Sequence, residues 1–171
     1  MSFSTEVHRV ISELNKHEVR YLVVGGIAVN LHGWQRSTTD IDVITDLSYE
    51  NLQRFGETLR ILGYSPRQPI KIEEASDPKI REQGRKEKNA VALFFQNNSA
   101  PYTAVDILYN SPLDFEQAYE ARKEFKLNSG DSIKVCSLEH LIQLKRQSSR
   151  KRDMDDVEAL EAIAIGRDLN E

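Results

Sequence analysis

Apolar residues recur along the chain at two different spacings, which predicts an alternation of helices and strands. Residues 4–17 carry apolar side chains three and four positions apart and begin at Ser4, which predicts an amphipathic helix capped by that serine. Two short apolar runs, Tyr21–Val24 and Ile41–Thr45, predict buried strands. Between them the sequence predicts a short helix over Ile27–Leu31 that ends at the following glycine.

The middle of the chain gives one clear helix and then a weaker pattern. Ser48 is a candidate N-cap for a helix that reaches Leu62, because its apolar residues share one face and a glycine follows. The run Gln68–Ile72 predicts a further strand. The segment Asp77–Lys88 is strongly charged and holds few apolar residues, which predicts an exposed excursion from the core.

The second half of the chain again alternates strands and helices. Val91–Phe95 and Thr103–Leu108 predict two strands joined through a polar turn that contains Asn, Ser and Pro. The remaining predicted elements are a helix over Leu113–Ala121, a strand over Ser132–Val135, a helix from the N-cap Ser137 to Gln147 with His140 in the capping-box position, and a helix over Arg152–Ile165. No repeat or linker interrupts the pattern, so it predicts one α/β domain over residues 1–171.

Composition limits the class of protein. The 171 residues are 39% hydrophobic and 29% charged, as is usual for a globular domain. No apolar run approaches the roughly 20 residues that a membrane span needs, and the polar start does not resemble a signal peptide, so we expect a cytoplasmic protein without a membrane partner. Cys136 is the one cysteine, which excludes an internal disulfide.

The charge of the chain adds a second limit. The net charge of −4 disfavours a nucleic acid partner, because coating nucleic acid takes a broad basic surface. Basic residues nevertheless crowd positions 145–152. The acids that follow them, Asp153, Asp155 and Asp156, are expected to act as favourable charges at the start of the last helix.

The first candidate for chemistry is the pair Gly25-Gly26, which separates the strand Tyr21–Val24 from the following helix. Glycine lets the backbone approach a ligand closely, and the free N–H groups at the start of a helix attract anions such as phosphate. A tight turn without any ligand explains the same pattern, so the pair alone does not decide between the two.

Asp40 and Asp42 form the second candidate. Alternate residues of a strand share one face, so both carboxylates point the same way while Ile41 and Val43 point into the core. Two adjacent carboxylates repel each other, and a divalent cation such as Mg²⁺ relieves that repulsion. The alternative is that both acids face water at the entrance of the strand.

Asp106 is the third candidate, because it is a lone acid in the apolar run Ala104–Leu108. If this strand lies next to Ile41–Thr45, Asp106 joins Asp40 and Asp42 around one metal site. On its own, the residue is equally explained as an outward-facing acid on a half-exposed strand.

These features together resemble the DNA polymerase β-like nucleotidyltransferase superfamily. They consist of a Gly-Gly turn, 13 intervening residues, an Asp-x-Asp strand and a later apolar strand with one Asp. The stretches Gly25–Gly33 and Leu138–Lys145 are similar to small bacterial members, which include antibiotic-modifying and toxin–antitoxin-associated enzymes. The resemblance implies an α/β (α+β) nucleotidyltransferase fold with a small mixed β-sheet flanked by helices. Residues 64–100 match nothing in this pattern.

The resemblance implies a metal-dependent mechanism. Asp40, Asp42 and Asp106 would hold divalent ions, with two Mg²⁺ expected and Mn²⁺ as the alternative. Asp106 would also accept the proton of an attacking hydroxyl. The ions would clamp the attacking and leaving oxygens of an in-line displacement at the α-phosphorus, which releases pyrophosphate.

The resemblance also implies a nucleotide site, with an NTP, in the first place ATP, as the donor. Its residues are Gly25, Gly26, Arg36, Thr38, Thr39 and Lys145. The glycines would cradle the triphosphate, and the cations Arg36 and Lys145 would offset its charge. The two threonines either donate to phosphate or cap the strand, and His32 is either a base or a packing residue.

The predicted function is the transfer of a nucleoside monophosphate from an NTP to an acceptor hydroxyl. The alternative is a binding module of the same fold, an antitoxin-like partner of a helical toxin with weak or lost catalysis. A polynucleotide-tailing enzyme is disfavoured by the acidic net charge. The acceptor stays open, because a drug hydroxyl, a protein side chain and an RNA end all fit.

Overall fold

The described residues form a mixed sheet of seven strands with helices packed against it. The computed structural model describes residues 5–69, 71–88, 92–147 and 150–166, with the side chains of all of these except residues 87 and 88. The strands are β1 (Tyr21–Val23), β2 (Ile41–Thr45), β3 (Ser65–Pro66), β4 (Ala92–Gln96), β5 (Val105–Leu108), β6 (Lys123–Lys126) and β7 (Ser132–Val135). The helices are α1 (Thr5–Lys16), α2 (Gly25–Leu31), α3 (Tyr49–Ile61), α4 (Pro78–Lys88), α5 (Phe115–Glu120), α6 (Leu138–Arg146) and α7 (Lys151–Ala164), with a 3₁₀ helix over Ile72–Ser76.

The strands lie across the sheet in the order β3-β4-β5-β2-β1-β7-β6. The pairs β2–β5 and β1–β7 are parallel, and the other neighbours are antiparallel. The sequence prediction of a mixed sheet flanked by helices is therefore confirmed. The parallel pair β2–β5 lies near the middle of the sheet and carries two of the candidate acids.

The core consists largely of the apolar positions that the sequence pattern predicted. The apolar stripe of α1 is buried, and so are all residues of β1, which is consequently covered on both faces. β5 differs, because Val105 and Ile107 are buried whereas Asp106 faces the other side and is half-exposed. This half-exposed face of β5 is where a site can form.

Most of the predicted elements are confirmed within one or two residues of their predicted bounds. Ser137 is the N-cap of α6, since its hydroxyl accepts from the His140 N–H, and His140 Nδ1 lies 3.0 Å from the same hydroxyl. Ser48 occupies its predicted N-cap position without a side-chain cap hydrogen bond. The predicted cap Ser4 and the strand residue Val91 lie outside the described residues.

The predicted strand Gln68–Ile72 is wrong. The edge strand β3 lies earlier in the chain, the 3₁₀ helix begins where the prediction ends, and Ile70 lies outside the described residues. The side-chain amide of Gln68 donates to the Ala92 carbonyl and accepts from the Phe94 N–H. The Gln68 side chain thus makes hydrogen bonds to backbone groups of β4 that would otherwise bond to the backbone of a longer strand. β3 therefore ends before Gln68.

The exposed elements α4 and β6 were not predicted, because their sequences lack an apolar pattern. Residues 77–88 are exposed or half-exposed where their side chains are described, as predicted, but most of them form the helix α4. The strand β6 was missed, because its sequence Lys-Glu-Phe-Lys is charged and it pairs at the exposed edge of the sheet with β7. Among the described helices, none has the length and apolar character needed to cross a bilayer.

Candidate active site

The structure brings the three predicted acids to one face of the sheet. β2 and β5 pair in parallel with Asp42 directly opposite Asp106. Asp40 precedes β2 by one residue and lies on the same side of the chain as Asp42. Behind these acids Ile41 and Val43 are fully buried. The hypothesis that the two acid-bearing strands are neighbours is confirmed.

Burial makes two of the carboxylates costly to ionise. Burial, with added repulsion from Asp40, raises the pKa of Asp42 to about 6, although the Lys145 ammonium lowers it. Burial and repulsion from the other two acids raise the pKa of Asp106 to about 6 as well. A cation beside these carboxylates would remove both the repulsion and much of the cost of ionisation.

A cation at these acids would need further ligands from a bound molecule. Among the residues that the structure describes, no three side chains of His, Cys, Asp or Glu are grouped closely enough to hold an ion by themselves. The Asp40 carboxylate instead accepts from the Ala104 N–H at 3.3 Å and from the Thr39 hydroxyl at 3.4 Å. Mg²⁺ commonly takes one or two carboxylates together with substrate phosphates, so an open set of oxygen ligands meets its needs.

Gly25 and Gly26 begin α2 and lie directly against this acid face. Gly25 has a φ of +61°, and a Cβ there would overlap the Asp42 carboxylate. A Cβ at Gly26 would overlap the Thr38 side chain, with the Arg36 guanidinium close beside it. The Gly26 N–H donates to Asp42. The sequence predicted that the two glycines allow a close approach of the backbone. In the structure, they allow the start of α2 to lie close to Asp42 and to the loop before β2.

Arg36 and Lys145, the predicted phosphate-binding cations, are held together by Asp156 of α7. Arg36 Nε lies 3.1 Å from Asp156 Oδ1, and Lys145 Nζ lies 2.9 Å from Asp156 Oδ2. Lys145 Nζ also donates to Asp153 Oδ1 at 2.5 Å. Asp156 is 1% exposed, so the expectation that it acts only as a charge at a helix start is wrong. Its side chain instead lies in a buried ion-pair network between α6, α7 and the loop before β2.

Two clefts meet at the acids. The first cleft has a volume of about 220 Å³, and its lining includes Gly25, Asp42, Leu108, Leu144 and Lys145. The second cleft has a volume of about 430 Å³, and its lining includes Asp40, Arg67, Phe94, Pro101, Tyr102 and Asp106. Asp42 lines the first cleft and Asp106 lines the second, and these two residues stand opposite each other on paired strands, so the clefts lie on either side of the acid pair.

The structure separates the two predicted threonines and decides the role of His32. Thr38 lies against Gly26, whereas Thr39 lines the second cleft and donates to Asp40. His32 Nε2 lies 2.8 Å from the backbone carbonyl oxygen of Cys136, and burial lowers the pKa of His32. Of the two roles predicted for His32, packing is the one that the structure supports.

Comparison of the sequence with known families adds the observation that decides the class of protein. Residues 3–170 match the sequence profile of a family described as nucleotidyl transferase of unknown function (DUF2204). The chain belongs to this nucleotidyl transferase family. The match includes every element that carries the acids, the glycines and the cations, and it makes the protein an enzyme. The resemblance predicted from the motifs is confirmed, while the toxin–antitoxin association stays a prediction.

Two solved structures share the fold of this nucleotidyl transferase. The crystal structure of lincosamide antibiotic adenylyltransferase LnuA with lincomycin bound matches with a TM-score of 0.60 and 16% identity, over 95% of this chain and 99% of that one. ANT(2″)-Ia in complex with adenylyl-2″-tobramycin matches with a TM-score of 0.58 and 12% identity, over 95% and 88% of the two chains. At identities this low the likeness concerns the fold alone. A sequence search of curated proteins finds no match.

In the metal-free nucleotidyl transferase, the ionisation of Asp42 should cost stability as the pH rises from acidic to neutral. The raised pKa of Asp42 means that its protonated carboxyl contributes stability, which is fully present below about pH 4 and is lost as the pH rises through about 6. Asp42→Asn, which stays neutral, should therefore raise the melting temperature by about 5 °C at about pH 7.5, and by much less at about pH 4.5.

Differential scanning fluorimetry in the presence of EDTA measures this difference. Asp155→Asn is the matched control, because Asp155 is an exposed acid of α7, and it should give no pH-dependent gain. An equal gain for Asp42→Asn at both pH values would contradict the raised pKa.

Proposed function

We propose that this nucleotidyl transferase moves a nucleoside monophosphate from ATP to an acceptor hydroxyl at the face formed by Asp40, Asp42 and Asp106. The observation that carries the proposal is the register of β2 and β5, which sets Asp42 opposite Asp106 where the two clefts meet. A donor in one cleft and an acceptor in the other would face each other across the acids. A displacement at phosphorus needs this kind of arrangement.

The first cleft suits the donor nucleotide. Gly25 offers backbone without a side chain, Lys145 offers a cation, and leucines offer an apolar surface to a base. Asp156 contacts both Lys145 and Arg36, so the two cations are positioned before a nucleotide binds. The triphosphate would lie against the two glycines and these cations, with the Thr38 hydroxyl as a further donor.

Asp40, Asp42 and Asp106 would hold two Mg²⁺ ions, or Mn²⁺ in their place. Bound there, such an ion supplies positive charge to the phosphate oxygens as the bond to the leaving pyrophosphate breaks. The raised pKa values of Asp42 and Asp106 support this assignment, since carboxylates that are costly to ionise and that repel each other gain most from a cation.

Asp106 is the proposed proton acceptor. It lines the second cleft, where the acceptor hydroxyl would enter. Without a bound cation, burial and the neighbouring acids raise its pKa to about 6, so its carboxylate is more basic than that of an exposed aspartate. The acceptor oxygen forms a bond to the α-phosphorus, the bond to pyrophosphate breaks, and the hydroxyl proton passes to Asp106.

Titration calorimetry with α,β-methylene-ATP tests the proposal. The wild-type protein should bind this analogue in the presence of Mg²⁺ and much more weakly in EDTA. The double variant Asp40→Asn with Asp42→Asn should weaken the Mg²⁺-dependent binding by about tenfold or more, because the charges that hold the cation are gone.

The control Asp155→Asn should bind the analogue as the wild type does. Failure of the wild type to bind the analogue with Mg²⁺ would refute the proposal. Binding without any release of pyrophosphate from ATP would favour the alternative of a binding module with lost catalysis.

A further inference from the structure

The second cleft holds a pattern of side chains that the acids do not account for. Phe94 of β4 pairs directly with Asp106 of β5, so its ring lies on the same face of the sheet as the acid. Phe94 is 39% exposed, whereas its neighbours Leu93 and Phe95 on the opposite face are buried. The ring of Phe94 therefore belongs to the cleft and not to the core.

Tyr102 adds a second aromatic surface to the same cleft. It lies in the turn between β4 and β5 and is 83% exposed. A side chain this exposed contributes little to the stability of the core. Two aromatic rings that line one cleft offer a surface on which a planar or apolar part of a ligand can pack.

Arg67 places a positive charge in the cleft. Its backbone N–H donates to the Phe94 carbonyl at 2.8 Å, and its side-chain Nε donates to Gln96 Oε1 at 3.0 Å. Both bonds hold Arg67 against β4. Arg67 and Asp106 line the same cleft, so the positive charge of the guanidinium acts on the space in front of the acid.

These groups follow one another across the sheet. Asp106 stands on β5, Phe94 on the neighbouring strand β4, and Arg67 directly after β3, the next strand. Neighbouring strands lie about 4.8 Å apart, so the acid and the start of the Arg67 side chain are separated by roughly 10 Å with an aromatic ring between them.

We infer that the second cleft takes an acceptor in which a planar apolar portion separates the reacting hydroxyl from an anionic group, a carboxylate or a phosphate. The inference rests on the proposed function and deepens it by naming the class of acceptor. The hydroxyl lies at Asp106, the planar portion packs on Phe94 and Tyr102, and the anion pairs with Arg67.

The charges of the cleft favour an anion over a cation. Once cations neutralise Asp40 and Asp106, the guanidinium of Arg67 is the remaining charge among the described lining residues. Its planar fork of N–H donors matches the oxygens of a carboxylate or phosphate. An acceptor with an ammonium group at this end would meet a like charge.

Four compounds with one skeleton test the inference. Each is a biphenyl with a hydroxymethyl group at one para position and a carboxylate, a phosphonate, a carboxamide or an aminomethyl group at the other. Binding is measured by NMR titration of protein that is loaded with Mg²⁺ and α,β-methylene-ATP. At least one of the two anionic compounds should bind about tenfold or more tightly than the carboxamide, and the aminomethyl compound should bind most weakly. The comparison of carboxylate with phosphonate shows which anion the cleft prefers.

Variants of the cleft separate the charge from the aromatic surface. Arg67→Gln should abolish the advantage of the anionic compounds, while the control Arg60→Gln, an exposed arginine of α3, should preserve it. Tyr102→Ala should weaken the preferred anion and the carboxamide by the same factor, and its high exposure leaves folding unaffected.

Three results would overturn the inference. The first is that the carboxamide or the aminomethyl compound binds as tightly as the anionic compounds or more tightly. The second is that Arg67→Gln keeps the preference for the anionic compounds. The third is that none of the four compounds binds to nucleotide-loaded protein at millimolar concentration. Failure of the ATP analogue itself to bind would instead refute the proposed function, so the two failures are distinguishable.

Discussion

Asp42→Asn should lower the rate of pyrophosphate release from ATP by about 10³-fold or more. Asparagine keeps the shape of the side chain and can still accept from the Gly26 N–H, but it loses the charge that would hold a cation at the face shared by the two clefts. A coupled assay for pyrophosphate in the presence of Mg²⁺ measures the rate, with an acceptor in the second cleft or with water in its place.

Unfolding of the variant cannot explain this loss of rate. Asp42→Asn should be more stable than the wild type at neutral pH in the absence of metal, because it removes a carboxylate whose ionisation is opposed by burial. Asp106→Asn should cause a loss of similar size, and Asp155→Asn should cause none. A rate for Asp42→Asn within about threefold of the wild type would mean that the acids are not the centre of the reaction.

Asp156→Ala should lower the free energy of unfolding by about 3 kcal/mol. Asp156 is 1% exposed and contacts both Arg36 and Lys145, so its removal leaves two cations without their shared partner in a largely buried position. Urea denaturation measures the change. The KM for ATP should also rise, because the two cations proposed for the triphosphate lose the group that positions them.

Neighbouring acids of α7 provide the controls for this prediction. Asp155→Ala removes an exposed carboxylate and should change the unfolding free energy by less than about 0.5 kcal/mol. Asp153→Ala should have an intermediate effect, because Asp153 pairs with Lys145, whereas Asp156 contacts both Lys145 and Arg36. If Asp156→Ala unfolds at the same urea concentration as Asp155→Ala, the ion-pair network does not stabilise the fold.

The acid face could be predicted because its signals are local and periodic. Asp40 and Asp42 alternate with apolar residues that belong in the core, and Asp106 interrupts a second apolar strand. The sequence offered the adjacency of these strands only as a hypothesis. The parallel pairing of β2 with β5 confirms it, and this pairing joins segments about sixty residues apart, which no local pattern reveals.

The burial of Asp156 was not predicted, because it depends on contacts with residues that are distant in the sequence. An acid in the second turn of a helix has the same local pattern whether it faces water or the interior, so Asp156 was taken for one of three equivalent charges. Its burial follows from the packing of α7 against α6 and from the position of Arg36, which lies far away in the chain.

The second cleft was not predicted either, because it also depends on contacts between distant parts of the chain. Gln68 satisfies backbone groups of β4 with its side chain, and this exchange ends the edge strand and leaves Arg67 beside Phe94. Neither hydrophobic periodicity nor turn composition carries that information. A weak local signal was present, since Tyr102 follows Pro101 in a polar turn where an aromatic side chain cannot be buried easily.

A crystal structure of the protein with Mn²⁺ and α,β-methylene-ATP would show whether the acids hold the metal, because the anomalous signal of manganese identifies the ion. We predict manganese in contact with Asp40, Asp42 and Asp106, and a triphosphate against Gly25 and Lys145 in the first cleft. Manganese and nucleotide bound away from these acids, with the acids facing solvent, would show that the acid face is not the catalytic centre.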